Sequence, residues 1–147
     1  MSTDETTATA LIRTLENGKE GFAKAAEKLD ASDRSDVAAK FREFEQQRSV
    51  MSDELKAIAA AYGDDVAQRS TVPGALHRGW MAVKDALSSD DADAVIAAAE
   101  TGEDHAVEQY REALEADISP EFRPVVARQL ASVQAAHDYV RSLKSTS

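Results

Sequence analysis

The sequence contains no cysteine, and it holds few of the residues that break helices, with 6 glycines and 3 prolines among 147 residues. Without cysteine there is no disulfide framework, no thiolate zinc site, no iron–sulfur cluster and no cysteine nucleophile, and the redox compartment is left unmarked. Basic charge is also in short supply, 17 Lys and Arg against 27 Asp and Glu for a net charge of −10. Those basic residues form no run, so a nucleic-acid backbone or an anionic bilayer would find no positive face to bind. No apolar stretch approaches the ~20 residues that cross a bilayer, and no membrane insertion is expected. The opening MSTDETT is too polar and acidic for a secretory signal, so the expectation is a cytoplasmic protein. A length near the commonest domain size predicts one domain over residues 1–147, with polar tails at 1–6 and 144–147.

What the sequence does have is alanine, the best helix former, scattered from end to end. Small side chains let helix axes approach, which suits a bundle. Over residues 6–29 the positions Leu11, Leu15, Gly18, Phe22, Ala25 and Leu29 alternate by four and three, one helical stripe. Ser32 or Asp33 is the expected cap of a second helix over residues 33–62. Its stripe reads Val37, Phe41, Phe44, Arg48, Met51, Leu55, Ile58 and Tyr62, with Gly63 as its C-terminal cap. Residues 63–74 read as an irregular link and residues 75–87 as a short helix carrying Leu76, Trp80, Val83 and Leu87. Ser89 or Asp90 is expected to cap a third long helix, to about residue 116, whose stripe is Ala92, Ile96, Ala99, Glu103, Ala106, Tyr110 and Ala113. Ser119-Pro120 signals a last helix with Val126, Leu130, Val133, His137 and Val140 inward.

The link between the second and third long helices far exceeds the two to eight residues usual in an up-down bundle. One crossover between two helical hairpins is the topology of ferritin-like folds. The predicted fold class is therefore all-α, a ferritin-like four-helix bundle with a long crossover containing a short extra helix.

Arg48, Glu103 and His137 interrupt three different apolar stripes near the middle of their helices, and Lys19 lies at the edge of the first. Burying a charge is costly unless it is paired or bound to a metal, so these groups are expected to share one polar layer. Glu45, Glu100 and Gln134 each stand three residues before Arg48, Glu103 and His137, and i,i+3 partners project from one helix face. On the first helix, Glu20 points away from the stripe and Glu16 lies on its border. Two readings stay open. In one, Arg48 pairs with Glu45, Glu100 or Glu103, and Lys19, Arg48 and Gln134 belong to a structural layer that fixes helix register. In the other, Glu45, Glu100, Glu103 and His137 hold a single Fe, Mn or Zn ion, three oxygen donors and one imidazole. His77, Arg78 and Trp80 read as core rather than a ligand cleft, His105 as solvated, and Tyr110 as an interior phenol bonded to a polar neighbour. The run Asp90, Asp91, Asp93 lacks the glycine and terminal glutamate of a calcium loop.

The run Ala99-Glu100-Thr101-Gly102-Glu103-Asp104-His105 resembles the third-helix motif of rubrerythrins, and residues 16–22 resemble a first-helix motif of that group. More closely, Gly-Phe-x-x-Ala-Ala-Glu at 21–27, His-Arg-Gly-Trp at 77–80, Glu-x-Gly-Glu at 100–103, Tyr110 and His-Asp at 137–138 resemble an uncharacterised bacterial family of ferritin-like four-helix-bundle proteins. Catalytic ferritin-like proteins hold two metal ions, with a carboxylate from each of two helices and a Glu-x-x-His pair from each of the other two. Here Glu45-x-x-Arg48 has arginine where histidine would ligate, and Gln134-x-x-His137 has an amide where a carboxylate would. Arginine has no lone pair to give a metal. The resemblance thus implies a non-catalytic or weakly metal-associated bacterial helper protein, connected with stress or envelope maintenance, and no cofactor is expected. Its alternatives are a metal-binding oxidase or peroxide-handling protein and a dimeric interaction module. A homodimer is the expected assembly.

Overall fold

The structure is a computed structural model and describes residues 3–62 and 91–145. Four long helices account for most of these residues: α1 (Thr3–Ala31), α2 (Ser35–Ala59) with a short 3-10 turn (Ala60–Tyr62), α3 (Ala92–Glu115) and α4 (Arg123–Ser145). They form an all-α four-helix bundle, as the periodicity predicts. The expected features at Gly63, residues 63–74, the short helix at 75–87, His77, Arg78, Trp80, Ser89 and Asp90 lie outside the described residues.

Helix ends follow local hydrogen bonding and correct two of the expected caps. Ser32 and Asp33 do not cap α2; they finish α1. The Arg34 N–H donates to the Leu29 carbonyl at 2.8 Å and the Asp33 N–H to the Asp30 carbonyl at 3.3 Å, and Asp33 takes the left-handed conformation, φ 62°. This is a Schellman closure, in which aspartate is one of the few residues to tolerate positive φ. α2 then starts after Arg34 with no side-chain cap. At α3 the cap is Asp91, whose Oδ1 accepts from the Asp93 N–H at 3.1 Å. α4 begins at Arg123, later than Ser119-Pro120 suggests, because Ser119 first closes a turn by accepting from the Phe122 N–H at 3.2 Å. Arg123 reaches back to the end of α3, donating to the Leu114 carbonyl at 2.6 Å and the Ala116 carbonyl at 3.2 Å.

α1 is the central rod, packed along α2 and along α3, while α3 also packs along α4. α2 and α4 meet through side chains, as where Phe44 and Tyr139 cross with ring centroids 5.6 Å apart. Leu11 and Leu15 share a cluster with Leu55, Ala113 and Phe122, whereas Leu29 clusters with Val37, Val95 and Val140. The Asp4 carboxylate, at the start of α1, accepts from the Ser119 N–H beyond the end of α3, at 2.8 Å. α1 and α3 are therefore antiparallel, and α2 runs in the same direction as α3. α2 stops at the end of the bundle where α3 also stops, and α3 takes up at the other.

Among the described residues the core thus falls into two apolar clusters, one towards each end. Every helix changes cluster near its middle: between Leu15 and Phe22, between Met51 and Phe44, between Ala98 and Ala106, and between Val133 and Ala136. Arg48 and Glu103 stand at this boundary, with Lys19 beside them on α1, whereas His137 lies just past it, between Ala136 and Val140 of the second cluster.

Candidate functional site

Arg48 sits in the apolar stripe of α2 and is 1 % exposed; Glu103, from α3, is 2 % exposed. The guanidinium binds the carboxylate through both oxygens: Nη1 donates to Oε2 at 2.9 Å, and Nη2 to Oε1. Planar fork and carboxylate match, which makes this the strongest class of protein hydrogen bond. Two further neighbours shape the socket. The Phe22 ring lies under the guanidinium, Cζ 5.2 Å from its centroid, a cation–π contact. On α1, Gly18 leaves the space Nη1 needs, since a Cβ there would come within 2.7 Å of it. Of the three partners open to Arg48 in the sequence, the structure selects Glu103, which reaches it across the bundle.

The other groups of the expected layer sit around this pair without joining it. Lys19 turns to its own helix, Nζ 2.9 Å from Glu16 Oε2. Glu16 Oε1 also accepts from Ser52 Oγ at 2.7 Å and Lys56 Nζ at 2.8 Å. Burial pushes the Glu16 pKa up, but the bonds from Lys56, Lys19 and Ser52 outweigh it and hold the carboxyl down at about 2. Glu45 is half-buried on α2 and adds to the negative field at Lys19. Glu100 is half-buried on α3 and His105 is exposed. Gln134 donates to Asp138 Oδ1 at 3.0 Å and accepts from Arg111 at 3.4 Å. His137, 8 % exposed, meets Asp104 and Asp138 rather than Arg48 or Glu103.

Among the described residues no three His, Asp or Glu side chains gather as a group able to hold a metal ion. The set Glu45, Glu100, Glu103 and His137 does not assemble into a coordination shell. Both oxygens of Glu103 are taken by Arg48, and both ring nitrogens of His137 face carboxylates.

A second buried polar chain lies towards the α1 N-terminal end. Tyr110 OH donates to Gln129 Oε1 at 2.7 Å. Gln129 Nε2 donates to the Met51 carbonyl at 3.3 Å and to Glu54 Oε1 at 2.7 Å, and Arg128 binds the other Glu54 oxygen. Burial pushes the Tyr110 phenol far up, so it stays a neutral donor. The interior phenol with a polar neighbour is as expected, while Gln129 is a buried polar residue that the predicted α4 stripe does not include. It stands three residues after Val126 and four before Val133, and it is buried where the stripe places Leu130, which is only half-buried.

Parallel middle helices and a charged pair spanning the core place this protein among all-α four-helix bundles with a polar mid-layer. The chain belongs to the family described as Domain of unknown function (DUF2383), whose model matches residues 6–116. That span contains Gly18, Phe22, Arg48 and Glu103, and it stops short of α4. No curated protein and no solved structure matches the chain.

Proposed function

We propose that this protein is a non-catalytic, ferritin-like bundle in which an internal ion pair stands where catalytic relatives of that fold class carry a di-metal centre. The buried, bidentate Arg48–Glu103 contact carries the reading. It lies between the two apolar clusters, in the bundle core, where ferritin-like proteins build their metal sites from inward side chains on facing helices. A guanidinium supplies positive charge there without an ion, and unlike histidine it has no lone pair to offer one. Parallel α2 and α3 support the ferritin-like comparison, because a single long crossover between two hairpins produces that arrangement. The protein then acts through its surface, as a homodimer or on another protein; the stress-related role rests on the sequence resemblance, and the cytoplasmic location on the polar, acidic N-terminal segment.

Elemental analysis of protein purified without chelator tests this. The expected result is Fe, Mn and Zn all well below one equivalent per chain. A stoichiometric metal would overturn the reading and favour an oxidase or peroxide-handling protein.

A further inference from the structure

Each ring nitrogen of His137 meets a carboxylate oxygen. Nε2 lies 2.6 Å from Asp104 Oδ1 on α3, and Nδ1 lies 3.2 Å from Asp138 Oδ1 on its own helix. An ionised carboxylate only accepts, and a neutral imidazole carries a single N–H. Both contacts are hydrogen bonds together only when both nitrogens are protonated, so the geometry is that of an imidazolium. The two bonds differ in what they join. One closes within α4, and the other ties α4 to α3.

The charges around the ring are few and mostly committed. On α4, Asp138 Oδ1 also accepts from Gln134, and Arg141 adds positive charge near Asp138. On α3, Glu103 precedes Asp104 in the chain and is neutralised by Arg48, which enters from α2. On α2, Glu45 and Asp53 lie within the field of Lys19 on α1. Loss of the ring proton therefore leaves Asp104 and Asp138 facing each other across a neutral imidazole.

We propose that His137 is a pH-sensitive clamp on the α3–α4 hairpin: protonated, it holds Asp104 and Asp138 together, and on losing its proton it forfeits one of the two bonds and loosens the tie to α3. Burial works against charge on the ring, but the bonds to Asp138 and Asp104 outweigh it and raise the pKa above the ordinary imidazole value. A group whose pKa is raised on folding adds stability that is complete below its unfolded value, about 6.5. That stability is lost as pH rises through the folded value. Within that window the folding constant falls by up to about tenfold per pH unit.

The test is urea unfolding of the full chain in steps from pH 5.5 to 8.5, for the wild type, His137→Gln and Asp104→Asn, together with an NMR titration of the wild-type imidazoles. The chain has 3 histidines, so His137→Gln also assigns the resonance. The wild type should lose stability across the window, His137→Gln should lack that loss, and Asp104→Asn should lower the pKa of His137. A pH slope unchanged by His137→Gln would overturn the clamp. So would a His137 resonance that titrates at or below the ordinary value, or one indifferent to Asp104→Asn. The wild-type titration, recorded on metal-free protein with the imidazole resonances assigned by triple-resonance NMR, decides the matter even if a variant fails to fold.

Discussion

A guanidinium that is 1 % exposed keeps its place only while its neighbours leave room for it and bond it. Gly18 supplies the room. Glycine inside a helix costs about 1 kcal/mol relative to alanine, so on backbone grounds Gly18→Ala should stabilise the protein. The new Cβ would lie 2.7 Å from Arg48 Nη1, and a guanidinium held through both nitrogens cannot retreat without loosening its carboxylate. Gly18→Ala should therefore destabilise the wild type by about 1–3 kcal/mol, the usual cost of overpacking. In an Arg48→Leu background the same change should stabilise. A urea-melt double-mutant cycle reads the sign, and a stabilising Gly18→Ala in both backgrounds would mean the socket is slack. At this scale the sequence predicted that Arg48 is buried, because a charge on an apolar stripe calls for a partner inside the bundle. It left three partners open, since Glu45, Glu100 and Glu103 all satisfy helical spacing. Gly18 reads as one more stripe position, and its value as a vacancy depends on the register of a neighbouring helix.

Between elements, α1 and α2 are joined on their outer side by Glu16, which gathers Ser52, Lys56 and Lys19. Its pKa falls on folding from an ordinary 4.5 to about 2. The stabilisation is thus present above the unfolded value and is lost as pH drops towards 2. Thermal midpoints followed by circular dichroism should fall more steeply between pH 4.5 and 2.5 for the wild type than for Glu16→Gln. Added salt should shrink the difference, because the carboxylate is a third exposed and screened. Equal slopes would show that the cluster does not couple to folding. Glu16 was placed on the border of its stripe by rotation alone, and it lies there, half-buried against α2. Rotation about one helix says nothing of which side chains of the next helix reach a border position. The α1–α2 corner is ambiguous in sequence for a related reason: Ser32 and Asp33 suit the start of one helix as well as the end of another. Backbone hydrogen bonding within the turn decides between them.

Across the whole molecule, a charged layer divides two apolar clusters. Such a layer adds little stability by itself. Replacing both partners of a buried pair with apolar residues is often neutral or favourable by 1–4 kcal/mol, whereas removing one strands the other at a cost of about 3–5 kcal/mol. Arg48→Leu alone should thus destabilise strongly, and Arg48→Leu with Glu103→Leu should recover most or all of the loss in thermal unfolding. A harmless Arg48→Leu would indicate that water reaches Glu103. The stripes predicted the four helices, and the length of the link predicted that α2 and α3 run the same way, since a long connection can join opposite ends. The division of the core was legible only as three unexplained interruptions, because the packing of four rods at one height is a property of none of them singly. The cleft at Gly18 also bears on heredity. A lineage that enlarges the side chain at 18 loses the room for arginine at 48, and without that arginine the acid at 103 becomes a liability. The three positions are bound to change as a unit or stay as they are, although the first and the last lie 85 positions apart in the chain.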